Sequence, residues 1–231
     1  MDFTGKAVVI TGGTGALGSA VAGALLAQGA ACRIPYMHDA EMQHFAHRDH
    51  KQVSLVAVKN LADETDVGKL YTGLSGLCAS IHIAGGFVPG TVRDTSKRQL
   101  MEQIDSNLMS CFLCCRAALN AMDTGSGRIV NVAARPALEW RSGAGMSAYT
   151  VSKAGVAALT VALAEEAAKD GVLVNAVAPS IMDTPANRKA MPKADFDKWP
   201  KVEEVAATIV FLASSDNRVT RGAVVPVYGK S

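Results

Sequence analysis

The sequence carries almost no excess charge. Lys and Arg total 23 against 21 Asp and Glu, a formal charge of +2, so no electrostatic pull toward a nucleic-acid backbone is expected. The basic residues are scattered, apart from pairs such as Lys97-Arg98 and Arg188-Lys189, which read as solvated faces. No secretory leader is expected either: "MDFTGKAVVITGG" has an acid at position two and an apolar run too short for one. No unbroken apolar stretch of about 18 residues occurs, so no membrane span is expected, and the expected compartment is the cytosol. The five cysteines, Cys32, Cys78, Cys111, Cys114 and Cys115, are an odd number, which argues against a disulfide framework. Cys111 and Cys114 form a C-x-x-C, but inside the apolar run "NLMSCFLCCRAAL" with no second ligand pair nearby. Buried, reduced thiols are expected there, and no metal. Linkers, repeats and low-complexity segments are also absent, so residues 1–231 read as one domain.

What is present is apolar and periodic. Hydrophobic residues make up 49 %, enough for a sizeable core. Strands are expected at 6–11, 30–36, 52–58, 80–84, 127–133, 172–178 and 223–227. Helices are expected at 16–28, 64–74, 97–122, 144–170 and 202–213. The strand runs are continuously apolar rather than alternating, as when both sheet faces are covered. Alternation of strand and helix then predicts an α/β fold, a doubly wound parallel sheet with helices on both faces. Residues 184–200, rich in Pro, Lys and Asp, lie between regular elements and read as a substrate loop.

"TGGTGALG", residues 11–18, ends the first strand and opens the first helix. Glycines there permit a tight turn and close approach to a pyrophosphate, and the helix N-terminus offers unpaired N–H groups. Gly12, Thr14, Gly15, Ala16, Leu17 and Gly18 are therefore candidate cofactor-binding residues. A dinucleotide site often has an acid at the end of the second strand for the ribose 2′-OH, or a nearby cation for a 2′-phosphate. Tyr36 stands there instead, with His38 and Asp39 just beyond, so NADH and NADPH both stay open. Tyr149 and Lys153 are spaced i, i+4. A free phenol titrates near pH 10. An ammonium one helical turn away, with the positive ring of an oxidised nicotinamide, is expected to favour phenolate.

These motifs resemble the short-chain dehydrogenase/reductase family over essentially the whole chain. The resemblance rests on the glycine turn with Gly12, Ala16 and Gly18 at its key points, on "AGG" (Ala84, Gly85, Gly86), and on Asn107. It rests also on Tyr149-x-x-x-Lys153 and on "PSIMDT", from Pro179 to Thr184. It implies a Rossmann fold that binds NADH or NADPH. It implies that Asn60 meets the adenine, that Lys153 also bonds the nicotinamide ribose, and that Asn107 places a water leading from Lys153 to solvent. Thr184 and the backbone after Pro179 would hold the carboxamide.

The family's usual serine at the end of the fifth strand is missing, for Ala134 occupies its place. Loss of such a donor costs about 10²–10³ in rate, and Ser142 or Ser147 could substitute. A second resemblance, to the dihydropteridine reductase branch, implies another answer. It rests on residues 183–199, on "AGG", on alanine at the serine position and on Gly145-Met146 shortly before Tyr149. It implies a quinonoid dihydropterin, already electron-poor, reduced with Tyr149 as proton donor; Ala134, Met146 and Tyr149 are the substrate-side candidates. Departures are Tyr36 in place of an acid and His82-Ile83 in place of the wider family's "NN". Another small carbonyl or alcohol substrate remains open, as does a non-catalytic cofactor-binding regulator, against which Tyr149, Lys153 and Asn107 count. The helices at 97–122 and 144–170 have broad apolar faces, and a homodimer or homotetramer through them is expected.

Overall fold

Each strand's apolar run becomes the middle of a sandwich. The computed structural model describes residues 1–123 and 125–231. Seven parallel strands, β1 (Ala7–Thr11), β2 (Ala31–Tyr36), β3 (Val53–Ala57), β4 (Leu77–His82), β5 (Arg128–Val132), β6 (Leu173–Pro179) and β7 (Val224–Val227), lie in the order β3-β2-β1-β4-β5-β6-β7. All of β1 is buried, as the apolar pattern requires when helices cover both faces. On one face α1 (Ala16–Leu26) and α9 (Val202–Ala213) bury Leu17, Val21, Leu25, Val205 and Ile209. On the other, α3 (Glu64–Tyr71), α5 (Ser110–Ala121) and α7 (Ser147–Glu166) bury Leu70, Leu113, Val156 and Leu163. The chain reverses its winding between β1 and β4, whose ends meet at Thr11 and His82. A crevice opens beyond the carboxyl ends of the strands at such a switch point.

The helix expected at 97–122 is three segments. α4 (Lys97–Gln103) starts with a Ser96 cap, Ile104–Met109 widens into π-helix, and α5 follows. The cause is local: Asn107 Nδ2 donates to Gln103 O at 3.1 Å, taking a carbonyl the backbone would otherwise use. The fourth strand starts at Leu77 and stops at His82, because the approach to Gly85-Gly86 leaves the ladder. α7 starts at Ser147 rather than 144, passes into a 3₁₀ turn at Ala167–Asp170, and ends at Gly171, φ 70°. Residues 184–200 are not irregular throughout. Thr184 caps α8 (Pro185–Ala190), with Pro185 at its first position, and Phe196–Lys198 forms a 3₁₀ turn. Shorter helices α2 (Asp39–Gln43) and α6 (Arg135–Leu138) and a 3₁₀ turn at Trp140–Gly143 went unforeseen.

Ser147–Asp170 has the length and apolar composition of a membrane span, a pattern that core helices share. Here that apolarity serves the core: Val156, Ala157, Thr160, Leu163 and Ala164 are buried. All five cysteines are free.

Candidate active site

The crevice has two chambers sharing Leu17, Ile83 and Gly85. The larger, about 480 Å³, lies over the glycine turn and is lined by Gly12, Thr14, Gly15, Ala16, Leu17, Gly18, Ala84 and Gly85. The turn is as tight as its glycines allow: Gly12 has φ 68°, and a Cβ there would meet Ala84 N at 2.7 Å. Gly15 precedes α1 without a side-chain cap, and Gly15, Ala16, Leu17 and Gly18 line the chamber, so among the described residues no side chain occupies the first-turn N–H groups. A dinucleotide pyrophosphate fits such donors.

The far wall differs from expectation. Pro35 and Met37 line the chamber, and Tyr36, between them on a strand whose side chains alternate, does not. Val58 and Leu61 also line it. Asn60 closes a turn instead, accepting from Ala62 N at 2.9 Å while its own N–H donates to Asp66. Glu41 of α2 and His44 complete the wall; sequence reading passed over both.

The smaller chamber, about 210 Å³, gathers Gly85, Gly86, Phe87, Asn107, Ala134, Tyr149, Lys153 and Pro179. Asn107, 1 % exposed, accepts from Gly86 N at 3.1 Å and donates to Gly86 O at 3.0 Å. The π turn thus carries the amide that pins the glycines after β4. A Cβ on Gly85 would fall 2.3 Å from Asn107 Oδ1 and 3.4 Å from Lys153 Nζ, so this glycine lets the two side chains converge. Lys153 Nζ donates to Val132 O at 2.8 Å. Phe87 packs edge-on against the Tyr149 ring, centroids 5.0 Å apart. Thr184 and Met146 do not line the chamber. Thr184 Oγ1 caps α8, and Met146 forms a bridge with Gly90.

Electrostatics of the chain alone place both groups of the pair off their ordinary values. Burial raises the Tyr149 phenol to about 12 and lowers the Lys153 ammonium to about 8, with negative charge on the Cys111 sulfur opposing. Desolvation by the surrounding chain therefore keeps Tyr149 protonated. The resulting form is a proton donor.

Neither serine suggested for the empty position reaches the chamber. Ser142 Oγ is exposed and donates to Glu139 O, and Ser147 lies outside the lining. Among the described lining residues, the hydroxyl besides that of Tyr149 is that of Ser180, which donates to Tyr228 O at 2.9 Å and accepts from Ser231 Oγ at 2.8 Å.

Behind Lys153 runs a buried polar chain. Tyr71 Oη lies 2.8 Å from Ser80 Oγ, which lies 2.8 Å from His82 Nε2. His82 Nδ1 lies 2.8 Å from Asn131 Oδ1, and Asn131 Nδ2 donates to Thr160 Oγ1 at 2.9 Å. Because the Asn131 oxygen can only accept, His82 carries its proton on Nδ1 and Nε2 accepts from Ser80. His82, Cys111 and Cys115 bring ligand atoms within 4.8 Å of one another, but both ring nitrogens are engaged in this network. His82→Ala removes the ring that joins the two halves of the network, leaving Ser80 bonded only to Tyr71 and the Asn131 oxygen only to the weak Cys115 donor. The expected destabilisation is about 2–4 kcal/mol, or roughly 4–16 °C in Tm by calorimetry. An unchanged melting point would show that the network contributes nothing.

A glycine turn at the switch point of a parallel sheet, opening into a chamber lined by both a tyrosine and a lysine, is the arrangement of a nicotinamide-dependent oxidoreductase. The chain belongs to the short-chain dehydrogenase family, whose model matches residues 6–195. Among curated relatives, it is 31 % identical to the BbsD subunit of (2S)-[(R)-hydroxy(phenyl)methyl]succinyl-CoA dehydrogenase of Thauera aromatica, covering 99 % of this chain and 97 % of the relative. It is 30 % identical to 3-oxoacyl-[acyl-carrier-protein] reductase FabG of Rickettsia typhi, covering 99 % and 98 %. Among solved structures, ElxO with NADP bound superposes with a TM-score of 0.86 at 26 % identity over 97 % of each chain. A crystal structure of gox2181 reaches 0.90 at 26 % identity, over 99 % of this chain and 96 % of that one. The protein is an NAD(P)-dependent oxidoreductase of this family.

Proposed function

We propose that the protein reduces a planar, electron-poor acceptor, with quinonoid dihydropteridine as the specific candidate. The observation carrying this is Ala134 in the chamber wall: among the described lining residues the hydroxyls are those of Tyr149 and of Ser180, which is already bonded to Tyr228 and Ser231. The nicotinamide, when bound, supplies the hydride. Gly12, Thr14, Gly15, Ala16, Leu17 and Gly18 would hold its pyrophosphate half, and Ala84, Gly85, Gly86 and Pro179 would line its path toward Lys153. Tyr149 donates the proton from Oη. Lys153, charged and lining the same chamber, replenishes that proton and is kept in place by Val132 O. Asn107 holds the Gly86 backbone and thereby the chamber's shape. A quinonoid ring gains conjugation on reduction and needs less polarisation than a ketone, so one acid suffices. Phe87, 55 % exposed and set against Tyr149, offers such a ring an apolar edge.

Residues 184–200 form the substrate loop in this reading. It is braced rather than loose: Arg188 bonds both Asp183 oxygens at 2.6 and 2.8 Å and lies over the Phe196 ring, while Asp183 N donates to Pro200 O. Exposed Met101, Met109 and Phe112 on the α4–α5 stretch and Val151 and Val161 on α7 suit a homodimer or homotetramer built on these helices. A light-scattering mass of one chain, 24.0 kDa, would exclude it. A cytosolic location suits five free thiols.

A second reading, a small ketone or secondary alcohol as substrate, is favoured by the relatives, whose names describe a hydroxyacyl-CoA dehydrogenase and an oxoacyl reductase. A panel run with NADH and NADPH separates the two. Quinonoid dihydrobiopterin should turn over well above its uncatalysed rate, and a panel of 3-oxoacyl thioesters and cyclic ketones weakly. Pterin turnover at background would remove the first reading. Ala134→Ser should then raise ketone turnover by about 10-fold or more, since it restores a donor.

A further inference from the structure

We propose that Glu41 makes this enzyme prefer NAD(H) over NADP(H); the proposal rests on the larger chamber holding the adenosine half of the dinucleotide. The strand-end residue that would ordinarily make the choice, Tyr36, does not line that chamber. A carboxylate arrives from another element. Glu41, the third residue of α2, lines the chamber together with the glycine turn.

Its placement is held from three directions. Thr14 Oγ1, inside the turn, donates to Oε2 at 2.9 Å, and the backbone N–H groups of Met37 and His38 donate to Oε1 at 3.2 and 3.0 Å. A carboxylate fixed by three donors does not swing away when a ligand arrives. Its remaining lone pairs can accept from ribose hydroxyls, whereas a 2′-phosphate near Thr14 would set two like charges together.

Nothing on the wall offsets that repulsion. Among the described residues lining the chamber there is no Lys or Arg, and the one basic side chain is His44. Gly15, beside Thr14, contributes no side chain. The other titratable groups of this corner are His38, at the start of α2, and Asp39, a second acid on the same short helix. Selection by charge therefore points one way: a ribose with free hydroxyls is accepted and a phosphorylated one is opposed.

The test is equilibrium binding of NADH and NADPH to the full-length protein, read by nicotinamide fluorescence and calorimetry and thus independent of any substrate. The wild type should bind NADH at least about 30-fold more tightly at low ionic strength, with the gap narrowing as salt rises. Glu41→Gln, which keeps the shape and removes the charge, should shrink the gap at least about 10-fold, mainly by tightening NADPH. Glu41→Ala, checked for an intact melting transition, should do the same if Glu41→Gln fails to fold. NADPH bound as tightly as NADH by the wild type would overturn the proposal, as would an unchanged ratio in the folded variants. Failure to bind either dinucleotide would overturn the adenosine reading itself.

Discussion

Tyr149→Phe lowers kcat/KM for reduction by about 10²–10⁴-fold, the usual contribution of a positioned acid, while dinucleotide affinity stays within about twofold. The variant deletes one oxygen and keeps the ring that packs against Phe87, so lost activity cannot be attributed to lost packing. At 1.36 kcal/mol per tenfold, the change corresponds to roughly 3–5 kcal/mol of transition-state stabilisation. A variant retaining more than a tenth of wild-type kcat/KM in stopped-flow measurements would show that the proton comes from elsewhere.

The pH profile tests the same arrangement. The phenol, pushed to about 12, stays protonated across the accessible range, so it places no limb below about pH 11. Lys153, pulled down to about 8, loses its charge within range. Reduction should be level below about pH 8 and decline above it, and Lys153→Met should abolish that limb along with most activity. Stability runs the other way. With the folded pKa below the unfolded 10.5, the unfolded chain binds more protons between pH 8 and 10.5, so this group's contribution rises with pH through that window. Below pH 8 the buried charge is opposed by about 3 kcal/mol at most. Lys153→Met should therefore melt higher than wild type at pH 7.

Gly18→Ala removes dinucleotide binding, with an expected loss of affinity of at least about 100-fold. Gly18 is the third residue of α1, where alanine would ordinarily improve the helix by about 1 kcal/mol. Space decides against it. The new Cβ would lie 2.0 Å from Gly12 O and 2.6 Å from Gly13 Cα, and both atoms are backbone of the turn that would cradle the phosphates. Either the turn opens or α1 withdraws, and overpacking of this kind costs roughly 1–3 kcal/mol or more. Calorimetric titration measures the loss; wild-type affinity in the variant would show that the turn has slack the structure does not display.

These variants divide along a line that runs through the whole molecule. By itself the sequence determined whatever depends on neighbours within a few positions. The strand-turn-helix of residues 11–18 needs glycines at set spacings. Tyr149 and Lys153 share a face because four residues make about one helical turn, and continuously apolar strands demand a sheet covered on both sides. Even the cap at Thr184-Pro185 was written locally, though it was passed over.

Only the tertiary structure decided what distant segments do to one another. The π turn at Asn107 follows from its bond to Gln103, while its function depends on Gly86, 21 residues away. His82 meets Asn131 across 49 residues, Glu41 reaches Thr14 across 27, and Tyr36 is left off the wall where an acid was sought. Burial, a property of the assembled core, raises the Tyr149 phenol. Local spacing sets which groups can share a face; desolvation and long-range contacts set which of them share a chamber and in what protonation state.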